Sequence, residues 1–170
     1  MIWSDKFTEQ ANEIIANLFK KEKFVGIHLR NGPDWENACN NVDEYHSYMA
    51  SPQCLEDIGR KVDRNLCFPT NDIILKDLEN ILVKKLNKTV KNIYIATDKS
   101  SMISEINFHF KNLIPNLNVV HHDPLSPMID LIILGKSEWF VGNCVSSFTS
   151  FVKRERDIQR LKSTFWSLEV

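Results

Sequence analysis

At 170 residues the chain has room for one domain with a proper core and little room for two. Its 43% hydrophobic and 25% charged residues are those of an ordinary globular protein, and 21 Lys+Arg against 22 Asp+Glu leave a formal charge of -1. That balance removes the electrostatic case for a nucleic-acid or anionic-membrane partner, and no uninterrupted apolar run is long enough to span a bilayer.

Met1 to Lys21 lacks the continuous apolar stretch of a signal peptide. Phe7, Ala11, Ile14, Ile15 and Leu18 instead form the apolar stripe of an amphipathic helix. Phe24 to Arg30 (FVGIHLR) reads as a short buried strand, apolar up to His28. From Asn31 to about Pro69 there is no periodicity, only punctuation by Gly32, Pro33, Pro52, Gly59 and Pro69. A loop of that length in a compact domain needs a function or a cross-link.

Thr70-Asn71-Asp72 then starts a helix with Ile74, Leu75, Leu78, Ile81, Leu82 and Leu86 on one face. Asn92 to Ala96 is a strand closed by Thr97-Asp98, and Ser100-Ser101 opens a helix with Ile103, Ile106 and Phe110 inward. Leu117 to His121 is a third strand. Ser126-Pro127 caps a helix that Gly135 ends, and Trp139 to Val141 is a fourth strand leading to a helix that starts near Ser146. Strands alternating with helices predict an α/β fold, a parallel sheet covered on both faces. Ligands of such sheets sit at the carboxyl ends of the strands. Those ends carry Arg30, Thr97-Asp98, His121-His122 and Gly142 to Ser147.

The chain has four cysteines, Cys39, Cys54, Cys67 and Cys144, with no C-x-x-C pair and no zinc-finger spacing to a histidine. They fit two disulfides in an oxidising compartment or four buried thiols in a reducing one. The sequon Asn87-Lys88-Thr89 leans toward the first. A secretory chain without a signal sequence implies a piece of a longer precursor.

His28 and Arg30 lie two apart on a strand and so face one side of the sheet. A guanidinium at the strand end suits a phosphate or carboxylate, and equally a structural pair with a loop acid such as Asp34. Ser146-Ser147-Phe148-Thr149 opens a helix, which serves either as an anion site or as a plain N-cap. Together with Arg30 it describes a phosphate clamp. Asp130 interrupts the apolar run Met128 to Leu134 and is either a buried acceptor for a nucleoside or the solvent stripe of its helix. His121-His122-Asp123 looks like a metal site, but adjacent strand residues face opposite ways, which favours a loop. Lys153 to Asp157 (KRERD) reads as a solvated helix face. No dinucleotide, Walker, hydrolase or paired-carboxylate motif is present.

Gly26 to Cys39 (GIHLRNGPDWENAC), Met49 to Cys54 (MASPQC), Gly142 to Thr149 (GNCVSSFT) and Phe151 to Asp157 (FVKRERD) resemble, in order, the GDP-fucose protein O-fucosyltransferases that act on EGF-like repeats. The resemblance implies the C-terminal, Rossmann-like domain of an inverting GT-B glycosyltransferase, spanning residues 1–170 as a single unit. It implies GDP-fucose contacts at His28, Leu29, Arg30, Asp130, Ser147 and Phe148, with Ser146 adjacent, and a catalytic role for Arg30 on the β-phosphate. It also implies the disulfides Cys39–Cys67 and Cys54–Cys144, the endoplasmic-reticulum lumen, and acceptors such as Notch, with no metal or other cofactor. The family's N-terminal domain is missing, and the tail Ser167-Leu168-Glu169-Val170 carries no retrieval signal. A chain of this kind is expected to bind GDP weakly and to transfer poorly by itself. Two other readings are a non-catalytic nucleotide- or glycoprotein-binding module of the same fold, and a fucosyltransferase acting on glycans. The MASPQC and Lys153 to Arg156 matches speak against the second.

Overall fold

Strands apolar on both faces need helices on both sides, and the chain supplies them. The computed structural model describes residues 3–42, 47–56, 59–124 and 126–168; Glu169 and Val170 of the expected tail lie outside that range. In chain order the elements are α1 (Asp5–Phe19), β1 (Val25–Leu29), α2 (Pro33–Ala38), a 3-10 turn (Cys39–Asn41), α3 (Pro52–Leu55), α4 (Arg64–Cys67) and α5 (Asn71–Glu79). There follow a π-helical turn (Asn80–Lys85), β2 (Asn92–Thr97), α6 (Ile103–Phe110), β3 (Asn118–His121), α7 (Pro127–Gly135), β4 (Trp139–Gly142), α8 (Ser147–Ile158) and β5 (Lys162–Phe165).

The five strands form one parallel sheet in the order β3-β2-β1-β4-β5. Val25, Ile27, Leu29, Ile93, Ile95 and Val141 point to one face and pack with α5 and α6. The alternate positions Tyr94, Ala96 and Phe140 point to the other, under α1, α7 and α8. This is the doubly wound, Rossmann-like arrangement. Its order reverses beside β1, so the crevice for a ligand opens at the carboxyl ends of β1 and β4.

The segment after β1 is not the structureless loop its composition predicts. It holds α2, α3 and α4, each too short for a hydrophobic period to show. Cys39 is bonded to Cys67 and Cys54 to Cys144. Around these bridges Trp35, Val42, Leu55, Val62, Leu66 and Phe165 form a third apolar cluster. The second bridge ties the segment to the β4–α8 turn.

Other expected boundaries move for identifiable reasons. Ser100-Ser101 does not open α6, because the backbone of Ser100 is engaged by Asn31 and Thr97 in the edge turn. The helix begins two residues later, after Met102 takes a left-handed conformation (φ 54). β5 was not foreseen: Lys162-Ser163-Thr164-Phe165 is a polar edge strand with only Phe165 buried. Arg156 is not part of a solvated face. It is fully buried, and its guanidinium donates to the carbonyls of Leu134, Gly135, Ser137 and Lys162 and to the Ser137 and Ser163 hydroxyls.

Candidate nucleotide-diphosphate site

β1 carries His28 to the carboxyl edge of the sheet, and Arg30 stands one residue past the strand's end. The Arg30 side chain is 25% exposed; it meets Asp34 at 2.6 Å and makes a second close ion pair with Asp98, while its head lies 5.0 Å from the Trp35 ring centre. Asp98, at the end of β2, also accepts hydrogen bonds from the Asn31 and Gly32 N–H groups at 2.9 and 3.1 Å. A Cβ on Gly32 would fall 2.5 Å from an Asp98 oxygen and 2.6 Å from an Asp34 oxygen, so only glycine lets the turn close around this cradle. Arg30 holds the Asp34 carboxyl below its ordinary pKa, chiefly by the hydrogen bond between them. Arg30 thus does pair with the loop acid, and with a second acid whose role the sequence left open. Asp34 is 68% exposed, so it can turn to water and leave one edge of the guanidinium to an incoming anion.

The facing wall is the start of α8. Ser146 is its N-cap, with no hydrogen bond from its side chain to the helix, and Ser147 is exposed. First-turn N–H groups have no acceptor within a helix, and the helix dipole is positive there. The Phe148 ring lies 4.6 Å from the His28 ring, whose Nδ1 makes a 2.9 Å hydrogen bond with the Thr149 hydroxyl. Burial, with help from nearby Arg30, pulls the His28 pKa down to about 3, so the ring is neutral at physiological pH.

Asp130 stands on α7 and is buried, which excludes the solvent-stripe alternative. Its Oδ1 accepts a 2.6 Å hydrogen bond from the Tyr94 hydroxyl. Burial pushes its pKa up to about 6 even though that hydrogen bond pulls the other way, and burial, joined by the same pairing, pushes Tyr94 upward. A carboxyl so placed is an acceptor with spare lone pairs at the bottom of a cleft.

His28, Arg30, Asp130, Ser146, Ser147 and Phe148 all line one cleft of about 1200 Å³. Leu29 does not: its side chain lies in the core with α5 and α6, and only its backbone reaches the edge. The segment from Met49 to Glu56 closes one side of the cleft, held by Ala50 N–H to Val145 O at 3.2 Å and Gln53 Nε2 to Cys144 O at 2.6 Å. His121 is not among the residues lining the cleft, and its Nδ1 makes a 2.9 Å hydrogen bond with the Ile95 carbonyl. Among the described residues no group of three or more His, Cys, Asp or Glu is placed to hold a metal, and no helix is long and apolar enough to cross a membrane.

The cleft brings the Arg30 cation, a helix N-terminus and the buried Asp130 carboxyl together, with Lys153 and Arg154 also on its lining, which suits a phosphorylated nucleoside. Sequence reasoning placed Asp98 at the sheet edge and Thr149 in the helix-opening motif without finding their partners, and it missed Tyr94. Thr149 had a signal, since it sits in phase with Val152 on the buried face of α8.

Comparison with known proteins points the same way. A family model described as GDP-fucose protein O-fucosyltransferase matches residues 1–159. The chain is 38% identical over 161 residues to GDP-fucose protein O-fucosyltransferase 1 of Caenorhabditis elegans, covering 91% of this chain and 39% of that protein. A crystal structure of POFUT1 in complex with GDP-fucose superposes with a TM-score of 0.87 at 32% identity, over 99% of this chain and 48% of that one. The POFUT1 apo form gives 0.84 at 33% identity, over 99% and 48%. The chain thus spans about half the length of these relatives or less.

Proposed function

The chain belongs to the GDP-fucose protein O-fucosyltransferase family, and on that premise we propose that it is the donor-binding half of a GT-B enzyme that transfers fucose from GDP-fucose to Ser or Thr of EGF-like repeats with inversion. The observation that carries this reading is the meeting of Arg30 and the α8 N-terminus across one cleft. The diphosphate lies between them. Arg30 exchanges a carboxylate for a β-phosphate oxygen, and the first-turn N–H groups from Ser147 onward take other oxygens. Asp130 accepts hydrogen bonds from the nucleoside, and Phe148 and the Leu29 backbone bound the site.

In the transfer itself, the acceptor hydroxyl oxygen attacks the anomeric carbon as the bond from that carbon to the β-phosphate oxygen breaks. GDP leaves with the electron pair, and Arg30 stabilises the charge that develops there, as an oxyanion hole does. No metal or other cofactor enters this scheme. A further N-terminal unit completes the cleft and carries most of the acceptor side. Folded EGF-like repeats of proteins such as Notch are the acceptors, and the two disulfides support the endoplasmic-reticulum lumen as the compartment.

The test is transfer by the full-length protein from GDP-fucose to a folded EGF-like repeat. Arg30→Ala is expected to lower kcat by about 10²–10³-fold, the size of losing one preorganised charge-stabilising donor. Normal transfer by that variant would overturn the mechanism.

A further inference from the structure

We propose that Thr149 is a positioning residue that fixes the tautomer of His28, so that its Nε2–H points into the cleft as a hydrogen-bond donor to the diphosphate; this rests on the donor-binding reading above. The Asn143 N–H donates to the Thr149 hydroxyl oxygen at 3.1 Å, and His28 Nδ1 lies 2.9 Å from the same oxygen. Thr149 is fully buried, and His28 Nδ1 is the one acceptor within reach of its hydroxyl proton among the described residues. Were Nδ1 protonated, that hydroxyl proton would be buried without a partner, which is costly. The hydroxyl therefore donates to Nδ1, and the single proton of the neutral ring sits on Nε2. That nitrogen has no protein partner among the described residues, and the ring lines the cleft.

The surroundings hold this arrangement. A Cβ on Gly142 would fall 2.4 Å from Thr149 Cγ2 and 2.7 Å from its Oγ1, so glycine at the end of β4 is what admits the hydroxyl. The Trp166 indole N–H donates to the His28 carbonyl at 3.0 Å, and Phe148 covers the ring. Nitrogen NMR of histidine-labelled protein, with His28→Gln for assignment, reads the tautomer directly, and GDP titration reads its consequence. Wild type is expected to show Nε2–H. Thr149→Val is expected to weaken GDP about ten-fold, the size of one hydrogen bond to a charged group, with Thr149→Ser restoring it. A proton on Nδ1, or full affinity in Thr149→Val, overturns the assignment. An Nε2–H ring in a wild-type protein that does not bind GDP overturns the donor reading and leaves the tautomer assignment standing.

A separate observation carries a second assignment. The structure assigns Asn87 as an Asn-linked glycosylation site. Asn87, Lys88 and Thr89 are all exposed in the turn that precedes β2, at the amino edge of the sheet and away from the cleft. Asn87 takes a left-handed conformation (φ 47) that asparagine tolerates, and the Thr89 hydroxyl donates to the Leu86 carbonyl at 2.6 Å. The two disulfides fit the secretory compartment proposed above, where such transfer occurs. Protein from a eukaryotic host is expected to yield Asn87 as Asp after enzymatic deglycosylation in heavy-oxygen water, with Asn87→Gln and Thr89→Ala losing the glycan and Thr89→Ser keeping it. Unmodified Asn87 in a protein with both disulfides formed overturns the site. Unmodified Asn87 together with four free thiols overturns instead the compartment on which it rests.

Discussion

Two arginines at opposite ends of the sheet show how one side chain serves two ends. Arg156 is fully buried and bound by neutral groups, the carbonyls of four residues and two hydroxyls. Burial pulls its pKa down to about 10, still high enough to keep it charged. Nothing can displace those carbonyls, because they belong to the end of α7, the turn after it and β5. Arg30 is bound by two carboxylates at a rim, and one of them is largely in water. Carboxylates at a solvent-facing rim can be exchanged for another anion; main-chain carbonyls in a core cannot. The difference in partners, more than the residue, separates a structural cation from a ligand-binding one.

The comparison is broken most severely at Arg156. Its replacement by Ala leaves several buried carbonyls unsatisfied and opens a cavity, for an expected loss of about 5 kcal/mol in denaturant unfolding. Next is the bridge that frames the cleft. Replacing Cys54 and Cys144 together by Ser is expected to cost about 4.6 kcal/mol by the chain-entropy argument for the 90-residue separation. It also frees the Met49 to Glu56 wall, so GDP affinity falls with stability.

Asp130 sharpens the contrast, because its effects on stability and on binding have opposite signs. Its folded pKa, about 6, lies above the ordinary 3.8, so the folded state holds the extra proton between those values. Stability from this group is full below the ordinary value and is lost as pH rises through about 6. Asp130→Asn keeps an acceptor for Tyr94 without the charge. It is expected to raise unfolding stability at neutral pH by about 1–3 kcal/mol, with the gain vanishing in acid, while weakening GDP. His28 runs the other way: its neutral buried ring makes the fold lose stability as pH falls from its ordinary value of 6.5 toward 3. The smallest stability effect is Arg30→Ala, under about 1 kcal/mol, as for other rim ion pairs.

Much of this was legible in the sequence, and for plain reasons. The strands β1, β2 and β4 are short apolar runs, and α1, α5 and α7 carry stripes or an all-apolar surface, so period alone finds them. Arg30, Asp130 and Ser146 stood out because each is polar where the pattern is apolar or where a strand ends. β5 did not, since an edge strand with one buried residue has no alternation to detect. Arg156 was hidden inside a run of charges, although it lies four residues after Val152 on the buried face of α8. Asp98 and Thr149 act through long-range partners, 66 and 121 residues away in sequence, and no local pattern reports a contact of that range.

The account turns on Arg30 as an exchangeable cation. Calorimetric titration of GDP into the wild-type protein and Arg30→Ala, at matched salt, tests it most directly. The expected result is binding by wild type and a loss of about ten-fold or more in the variant, with unfolding stability nearly unchanged. Equal affinity in the two proteins would contradict the account and return Arg30 to the same structural role as Arg156.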